Sequence, residues 1–303
     1  MTDHPPTAFP DPPRLAFVGA GRVAGALARG FSRAGIPVVA IASRSAVSAG
    51  ALAAAVPGCR AVREPQEAVD GAELVFLTVP DDAIAQVVTA ATWRAGVGVV
   101  HASGAAEVDV LTPAARHGAL IGGFHPLQNF ADPDVALAGL PGCVVAIEAE
   151  APLAARLDAL ARALGMRSIR LPAGARALYH GAGSFAAPFI TTLLHEAVRI
   201  WKGFGMSEAD ALAALVPLAR GTLDSVARDG TVRGLAGPIA RGDAGTVARH
   251  VAAFGALDER TLAFYREMAV RVIPIALEKG GLTPERAEEI GVLLRSSRAL
   301  PGT

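Results

Sequence analysis

The chain has 303 residues, a length that suits about two domains and can bury a sizeable core. Its 28 basic and 28 acidic residues balance, and the isoelectric point is near 7.1, so it lacks the basic surface that attracts nucleic acid or an anionic membrane. The two cysteines lie far apart without metal-ligand spacing, which predicts neither a disulfide framework nor a metal site.

Apolar residues make up 52% of the chain, yet polar residues, glycine or proline interrupt every apolar run before the roughly 18 residues that a membrane span needs. We therefore expect a soluble, cytoplasmic protein with no membrane partner. Residues 1–13 are rich in proline and lack the pattern of a signal peptide, which predicts a flexible, extended tail.

The first apolar run, Leu15-Ala16-Phe17-Val18, leads directly into Gly19-Ala20-Gly21-Arg22-Val23-Ala24-Gly25. A strand that breaks on glycine and continues as a helix is typical of dinucleotide binding: Gly19 makes the tight turn and Gly21 lets the backbone approach the pyrophosphate. Ala24 and Gly25 would let the helix pack closely on the strand. We expect residues 19–23 to bind the pyrophosphate at the helix N-terminus.

The second predicted strand begins at Val38 and ends in Ala42-Ser43-Arg44-Ser45. An acidic residue at this place would bind the ribose 2′-hydroxyl and repel a 2′-phosphate, whereas a guanidinium between two hydroxyls suits the phosphate. We therefore expect Ser43, Arg44 and Ser45 to favour NADP(H) over NAD(H). The alternative is that Arg44 is a solvated loop cation.

Short apolar runs alternate with helical patterns over residues 14–172, which predicts an α/β domain of the Rossmann type with a doubly wound parallel sheet. The predicted strands begin at Leu15, Val38, Leu74, Val97, Ala119, Val144 and Ser168.

Two of these strands end where ligands bind in such sheets. One ends in Val79-Pro80-Asp81-Asp82 and the next in His101-Ala102-Ser103-Gly104. We expect Val79 and Pro80 to contact the cofactor, and Ser103 and Gly104 to lie beside its nicotinamide carboxamide. His101 is expected to point into the sheet in a structural role.

Residues 173–303 show long helical patterns and no strand signal, which predicts an all-helical second domain. Its first helix is expected to span residues 178–204, and Ser207 with Asp210 resembles the N-terminal cap of the next one. Further helices should follow Asp243, Asp258 and Thr283. These helices are more apolar than surface helices, so we expect a homodimer; the alternative is that a single chain buries them.

Three residues are candidates for chemistry. His125 lies in Gly122-Gly123-Phe124-His125-Pro126-Leu127-Gln128, a strand end fixed by proline. His180 shares one helix face with Ser184, and the glycines between them keep that face open. Arg241 is free to bind a carboxylate in a bidentate manner. The alternatives are that His125 satisfies loop backbone groups and that His180 is a core histidine.

Three motifs coincide: residues 17–24, the pair 101–104 and 124–128, and residues 237–243. Together they resemble the Rossmann-like family with a C-terminal domain of unknown function 2520, over nearly the whole chain after residue 14. The layout is more distantly similar to ketopantoate reductases, pyrroline-5-carboxylate reductases and 3-hydroxyisobutyrate dehydrogenases. The resemblance implies a 6-phosphogluconate-dehydrogenase-like fold and an NADP-dependent reductase whose helical half forms dimers.

In several of these relatives the first helix of the second domain begins with a catalytic lysine, a position that His180 takes here. The exchange replaces a strong cation by a group that titrates near neutrality and suits proton donation. The resemblance also implies an asparagine where this chain has Pro188, so a substrate contact differs.

The leading hypothesis is an NADPH-dependent reductase of a small 2-keto acid, with ketopantoate as a candidate. His180 would donate the proton, His125 and Ser103 would orient substrate and nicotinamide, and Arg241 would bind the substrate carboxylate. Cyclic-imine reduction and deazaflavin-dependent NADP oxidoreduction are alternatives within the same class. A non-catalytic NADP(H)-binding sensor or partner protein is the competing hypothesis.

Overall fold

The computed structural model describes residues 11–295. Most of the tail predicted at residues 1–13 lies outside this described part, as do residues 296–303 of the predicted helical domain. The contacts within the chain form two compact units, one up to Ala187 and one from Pro188 onward. The boundary suggested by the sequence pattern falls earlier, after residue 172, and it stays a prediction.

The first unit contains one eight-stranded sheet with the order β3-β2-β1-β4-β5-β6-β7-β8. The strands are β1 (Leu15–Val18), β2 (Val38–Ala42), β3 (Arg60–Val62), β4 (Leu74–Leu77), β5 (Gly98–His101), β6 (Leu120–Pro126), β7 (Val144–Ala149) and β8 (Arg167–Arg170). The first six strands pair in parallel, in the order of a dinucleotide-binding fold. β7 then pairs antiparallel with β6, and β8 pairs parallel with β7.

The α/β architecture with a mostly parallel sheet is confirmed, and all seven predicted strands are present. The sequence pattern missed β3, because Arg60 and Ala61 are exposed and only Val62 is buried, which leaves no apolar run to recognise. In contrast, every residue of β1 and β4 is buried. Their Phe17 and Phe76 stack at 5.1 Å between ring centroids in the core on one face of the sheet.

Eight helices connect these strands or flank them in the described part of the first unit. They are α1 (Arg22–Arg33), α2 (Ala46–Ala54), α3 (Pro65–Gly71), α4 (Asp81–Ala90), α5 (Thr112–Ala115), α6 (Pro133–Ala138), α7 (Leu153–Ala163) and α8 (Arg176–Ala186). Since the order of the strands reverses between β1 and β4, the loops after these strands form the crevice in which ligands bind in such sheets.

The second unit is helical throughout its described residues. It contains α9 (Pro188–Gly203), α10 (Glu208–Arg233), α11 (Ala244–Leu257), α12 (Glu259–Lys279) and α13 (Pro284–Arg295). The cap predicted at Ser207 is confirmed, and Asp243 and Asp258 cap the helices expected after them: all three side chains accept hydrogen bonds from backbone N–H groups three residues later. Within residues 11–295, no helix is long and apolar enough to cross a membrane.

The single helix expected over residues 178–204 is instead two helices, α8 and α9. The break falls at Ala187, whose φ of −129° and ψ of −86° are not helical. Its physical cause is Pro188, because a proline ring clashes with a helical conformation of the preceding residue and the proline has no N–H to donate.

Candidate functional site

The turn between β1 and α1 depends on a glycine at position 19. Gly19 has a φ of +110°, and a Cβ added there would lie 2.5 Å from the carbonyl oxygen of Thr78. The Thr78 hydroxyl in turn donates a hydrogen bond to the Gly19 carbonyl oxygen at 3.0 Å. The turn is therefore held against the end of β4, as the sequence predicts for a tight turn.

Gly21 leaves the N-terminus of α1 open. It is the N-cap residue, it makes no side-chain cap, and a Cβ added to it would meet nothing within 4 Å. The first amides of α1 are thus available to an anion. The packing role expected of Gly25 needs correction: an added Cβ would face Pro133 of α6 at 3.4 Å, an ordinary contact, rather than the strand.

A cavity of about 460 Å³ opens at the carboxyl ends of β1, β2 and β4. Seven predicted cofactor residues line it: Gly19, Ala20, Gly21, Ser43, Arg44, Val79 and Pro80. Arg22 lines a neighbouring hollow that shares Ala20, Gly21 and Ser48 with the cavity. Four other predicted cofactor residues are not in the lining: Val23, Ser45, Ser103 and Gly104. Ser45 caps α2 by accepting from the Ser48 amide, and Val23 packs on the core.

The cavity is lined by basic side chains and by no acidic one. Besides Arg44, the lining includes Arg63, which follows β3 and which the sequence analysis did not identify. The nearest sequence signal was the strand β3 itself, and this strand is too short and too exposed to be recognised.

Ser103 is 8% exposed, and its hydroxyl is fully committed to neighbours. It donates to Asp81 Oδ2 at 2.7 Å and accepts from the amides of Ala105 and Ala106 at 3.1 and 2.9 Å. The Ser103 hydroxyl therefore stabilises the loop after β5 through these three hydrogen bonds. The nicotinamide-orienting role predicted for this hydroxyl would require it to exchange these partners.

Gly104 lies against the two histidines that the sequence singled out. A Cβ added to Gly104 would lie 2.3 Å from His180 Cδ2 and 2.8 Å from His125 Nε2. The two imidazole rings themselves are 5.8 Å apart between centroids and nearly perpendicular. The ends of β5 and β6 and the first half of α8 thus bring Gly104, His125 and His180 together.

His125 is half-buried, and its Nδ1 is 2.9 Å from the hydroxyl of Tyr179. Burial, followed by the neighbouring His180 and Arg176, lowers the pKa of His125 to about 4, so its ring is neutral at neutral pH. Burial likewise raises the pKa of Tyr179 to about 12, which keeps the phenol protonated. Tyr179 is a site residue that sequence analysis missed.

Arg176 is a second missed residue, and it is completely buried. Its Nε donates to Glu148 at 2.6 Å, and one terminal nitrogen donates to the carbonyl oxygen of Ser103 at 2.8 Å. The guanidinium fits only because residue 123 is a glycine, where an added Cβ would lie 1.7 Å from a guanidinium nitrogen. Arg176 therefore joins α8 to β7 and to the loop that holds Gly104.

The two other candidates are His101, which is close enough to Arg176 and His125 to interact with their charges, and Arg241 of the second unit. His101 is fully buried at the end of β5, as expected of a structural residue, and burial followed by Arg176 lowers its pKa to about 4. Arg241 is an exposed residue of a single 3₁₀ turn in the second unit, so its role stays a prediction. Within residues 11–295, no group of three or more His, Cys, Asp or Glu side chains is placed to hold a metal ion.

Comparison with known protein families identifies both parts of the chain. Residues 2–126 match the model of the Rossmann-like domain, and residues 143–272 match the domain of unknown function DUF2520. The second match begins one residue before β7, so it includes the end of the first unit with Arg176, Tyr179 and His180. No match was found among curated proteins.

Solved structures share this fold. A protein from Thermotoga maritima is 23% identical with a TM-score of 0.68, covering 88% of this chain and 99% of its own. A candidate NADP oxidoreductase from Bacteroides fragilis is 24% identical with a TM-score of 0.68, covering 86% and 98%. A reductive aminase from Aspergillus terreus, solved with NADPH and ethyl-5-oxohexanoate, is 18% identical with a TM-score of 0.59, covering 94% and 93%. The chain therefore combines a match to a Rossmann-like domain with a match to a DUF2520 domain, and it shares its fold with these solved structures.

Proposed function

We propose that this protein is an NADP(H)-dependent oxidoreductase that reduces a small carbonyl compound, with 2-keto acids as the first candidates. The observation on which the proposal depends is the meeting of Gly104, His125 and His180 on the same sheet edge as the glycine turn. The enzymes with this fold reported above include a reductive aminase solved with NADPH and a candidate NADP oxidoreductase.

The residues of the cavity fit a phosphorylated dinucleotide. The open N-terminus of α1 after Gly21 suits the pyrophosphate, and Arg44 with the hydroxyl of Ser43 suits a 2′-phosphate. Gly19 is needed where the backbone turns, since any side chain there would meet the Thr78 carbonyl. When bound, NADPH would supply the hydride that reduces the substrate carbon.

His180 would donate the proton to the substrate oxygen. The residue is exposed, so it can regain its proton from water after each turnover. Its place at the first turns of α8 is maintained by Arg176, which fixes this helix to the loop before Gly104. Both rings lie so close to Gly104 that a methyl group on it would clash with them, so a reacting carbonyl would meet the two histidines beside this residue.

His125 would hold and polarise the substrate as a neutral hydrogen-bond donor. When the Tyr179 phenol donates to Nδ1, the ring proton lies on Nε2, the nitrogen next to Gly104. A neutral imidazole with its proton fixed on one nitrogen is a suitable electrophile for a carbonyl oxygen. Tyr179 then acts through His125 as a positioning residue.

The remaining parts of the proposal concern the substrate carboxylate and the assembly. Arg241 is the candidate for binding the carboxylate, because Arg176 is buried and already bonded to Glu148.

A cytoplasmic homodimer is proposed because several large apolar side chains of the second unit are more than half exposed. They are Leu218, Phe204, Leu223 and Val292.

The proposal is tested by measuring NADPH oxidation against a panel of 2-keto acids, cyclic imines and a deazaflavin. We expect turnover with at least one 2-keto acid, and a fall of about a hundredfold or more in His180→Ala with NADPH binding retained. His117→Ala, which removes an exposed histidine elsewhere in the first unit, should keep full turnover. NADPH binding without oxidation by any panel member would favour the sensor, and turnover only with imines or deazaflavin would correct the substrate class.

A further inference from the structure

Two arginines follow neighbouring strands at the edge of the cavity. Arg44 lies two residues after the end of β2, and Arg63 follows β3 directly. These strands are parallel and paired, with Ala42 opposite Val62. The amide of Ser43 also donates to the Val62 carbonyl oxygen at 3.4 Å, so the pairing continues up to the residue before Arg44.

Among residues 11–295, neither guanidinium has an anionic partner. Within residues 11–295, neither Arg44 nor Arg63 takes part in an ion pair, and the cavity that both line contains no acidic side chain. Two unpaired like charges on one cavity wall repel each other, and an anion between them would relieve that repulsion.

We propose that Arg63 is a second specificity-determining residue, which together with Arg44 binds the 2′-phosphate of the adenosine ribose. This inference rests on the proposed NADP(H) dependence. A phosphomonoester has three strong acceptor oxygens and up to two negative charges, which match two guanidinium forks better than one. The hydroxyl of Ser43 in the same lining accepts from the Ser45 amide and keeps its own proton as a neutral donor beside the two cations.

A guanidinium at this place has a second possible use, because it can stack on the adenine ring instead of binding phosphate. The two uses differ in their dependence on the phosphate. Stacking would stabilise NADPH and NADH equally, whereas phosphate binding would act on NADPH alone. The comparison of ligands with and without the 2′-phosphate therefore decides between them.

The experiment titrates the full-length protein with adenosine 2′,5′-bisphosphate and with adenosine 5′-monophosphate by calorimetry, and with NADPH and NADH by fluorescence. The variants are Arg63→Met, which keeps apolar bulk and removes the charge, Arg44→Met, and Arg60→Met as control. Arg60 is an exposed arginine of β3 that does not line the cavity. The melting temperature without ligand verifies that each variant folds.

We expect Arg63→Met to weaken the two 2′-phosphorylated ligands about tenfold or more and the other two less than about twofold, with Arg60→Met unchanged. Equal losses for both ligand classes, or no loss, would overturn the role of Arg63. If Arg44→Met loses the preference while Arg63→Met keeps it, the inference fails and the proposed function stands. If the unmodified protein shows no preference for 2′-phosphorylated ligands, both fail.

Discussion

The Nδ1 of His125 on β6 lies 2.9 Å from the hydroxyl of Tyr179 on α8. This contact joins a strand of the Rossmann sheet to the helix that also provides His180, and it occupies the ring nitrogen that faces away from Gly104. One hydrogen bond thereby selects which nitrogen of His125 is available to a substrate. Tyr179→Phe is the conservative variant that removes this hydrogen bond while it preserves the ring.

Replacement of Gly104 should lower turnover in a protein that still folds. In Gly104→Ala the new methyl group would lie 2.3 Å from His180 Cδ2, so the imidazole must move away from the reacting position. We expect turnover to fall about a hundredfold, since a displacement of about 1 Å can have that effect. Steady-state kinetics with the best substrate of the panel, next to an NADPH titration, measures it.

The control is Gly50→Ala in α2, where an added Cβ meets nothing within 4 Å. This variant should keep its turnover, because alanine is a better helix former than glycine and the position is remote from both histidines. A Gly104→Ala protein with normal turnover would show that the space beside His125 and His180 is not where the substrate reacts.

The two glycines of the first turn should respond differently to alanine. Gly19→Ala combines a φ of +110° with a contact of 2.5 Å to a backbone oxygen, so we expect a loss of stability of about 1–3 kcal/mol or more. Gly21→Ala has open space and a φ of −82°, so its stability should change little while NADPH affinity falls. Thermal unfolding and NADPH titration of both variants test this, and equal destabilisation would be inconsistent with the turn described.

The buried ion pair of Arg176 should matter more than an exposed one. Arg176→Met leaves Glu148 and the Ser103 carbonyl without their donor, and removal of one partner of a buried pair costs about 3–5 kcal/mol. Arg170→Met breaks the ion pair between Arg170 and Asp158. Because the Arg170 side chain is 49% exposed, this variant should lose much less stability. Urea unfolding compares the two variants, and a similar loss in both would mean that Arg176 does not hold α8 in place.

Stability should fall as the pH is lowered from about 6.5 to 4. The pKa of His125 is about 4 in the folded protein against 6.5 ordinarily, so the unfolded chain binds a proton in this window that the folded protein does not. His101 adds a second such proton. We expect His125→Gln to remove one of these two protons, so that the unfolding free energy depends less steeply on pH. His117→Gln is the control, and an unchanged slope in His125→Gln would show that the folded imidazole is not held neutral.

The sequence pattern predicted the parts of the fold that have a strong local signal. β1 and β4 are continuous apolar runs, Ser207 caps α10 as its spacing from Asp210 indicated, and helices follow Asp243 and Asp258 as expected. A strand with one buried residue, such as β3, has no such signal. The break at Ala187 was predictable from Pro188 alone, but the apolar pattern on both sides favoured one continuous helix.

The residues of the candidate site were likewise predicted only in part. The pattern identified His125 and His180 individually, and only the fold shows that they meet at Gly104. Arg176 and Tyr179 were missed because their significance depends on partners far away in sequence, such as Glu148 for Arg176. A buried arginine cannot be distinguished from an exposed one by periodicity when its neighbours Ala175 and Ala177 are small.

The central claim is that His180 and His125 act on a substrate next to bound NADPH. It is tested most directly by single-turnover mixing of NADPH-loaded protein with the best panel substrate, for the unmodified protein, His180→Ala and His125→Gln. We expect all three proteins to bind NADPH with similar affinity and only the unmodified protein to oxidise it rapidly. Rapid oxidation by both variants, or no NADPH binding by the unmodified protein, would contradict it.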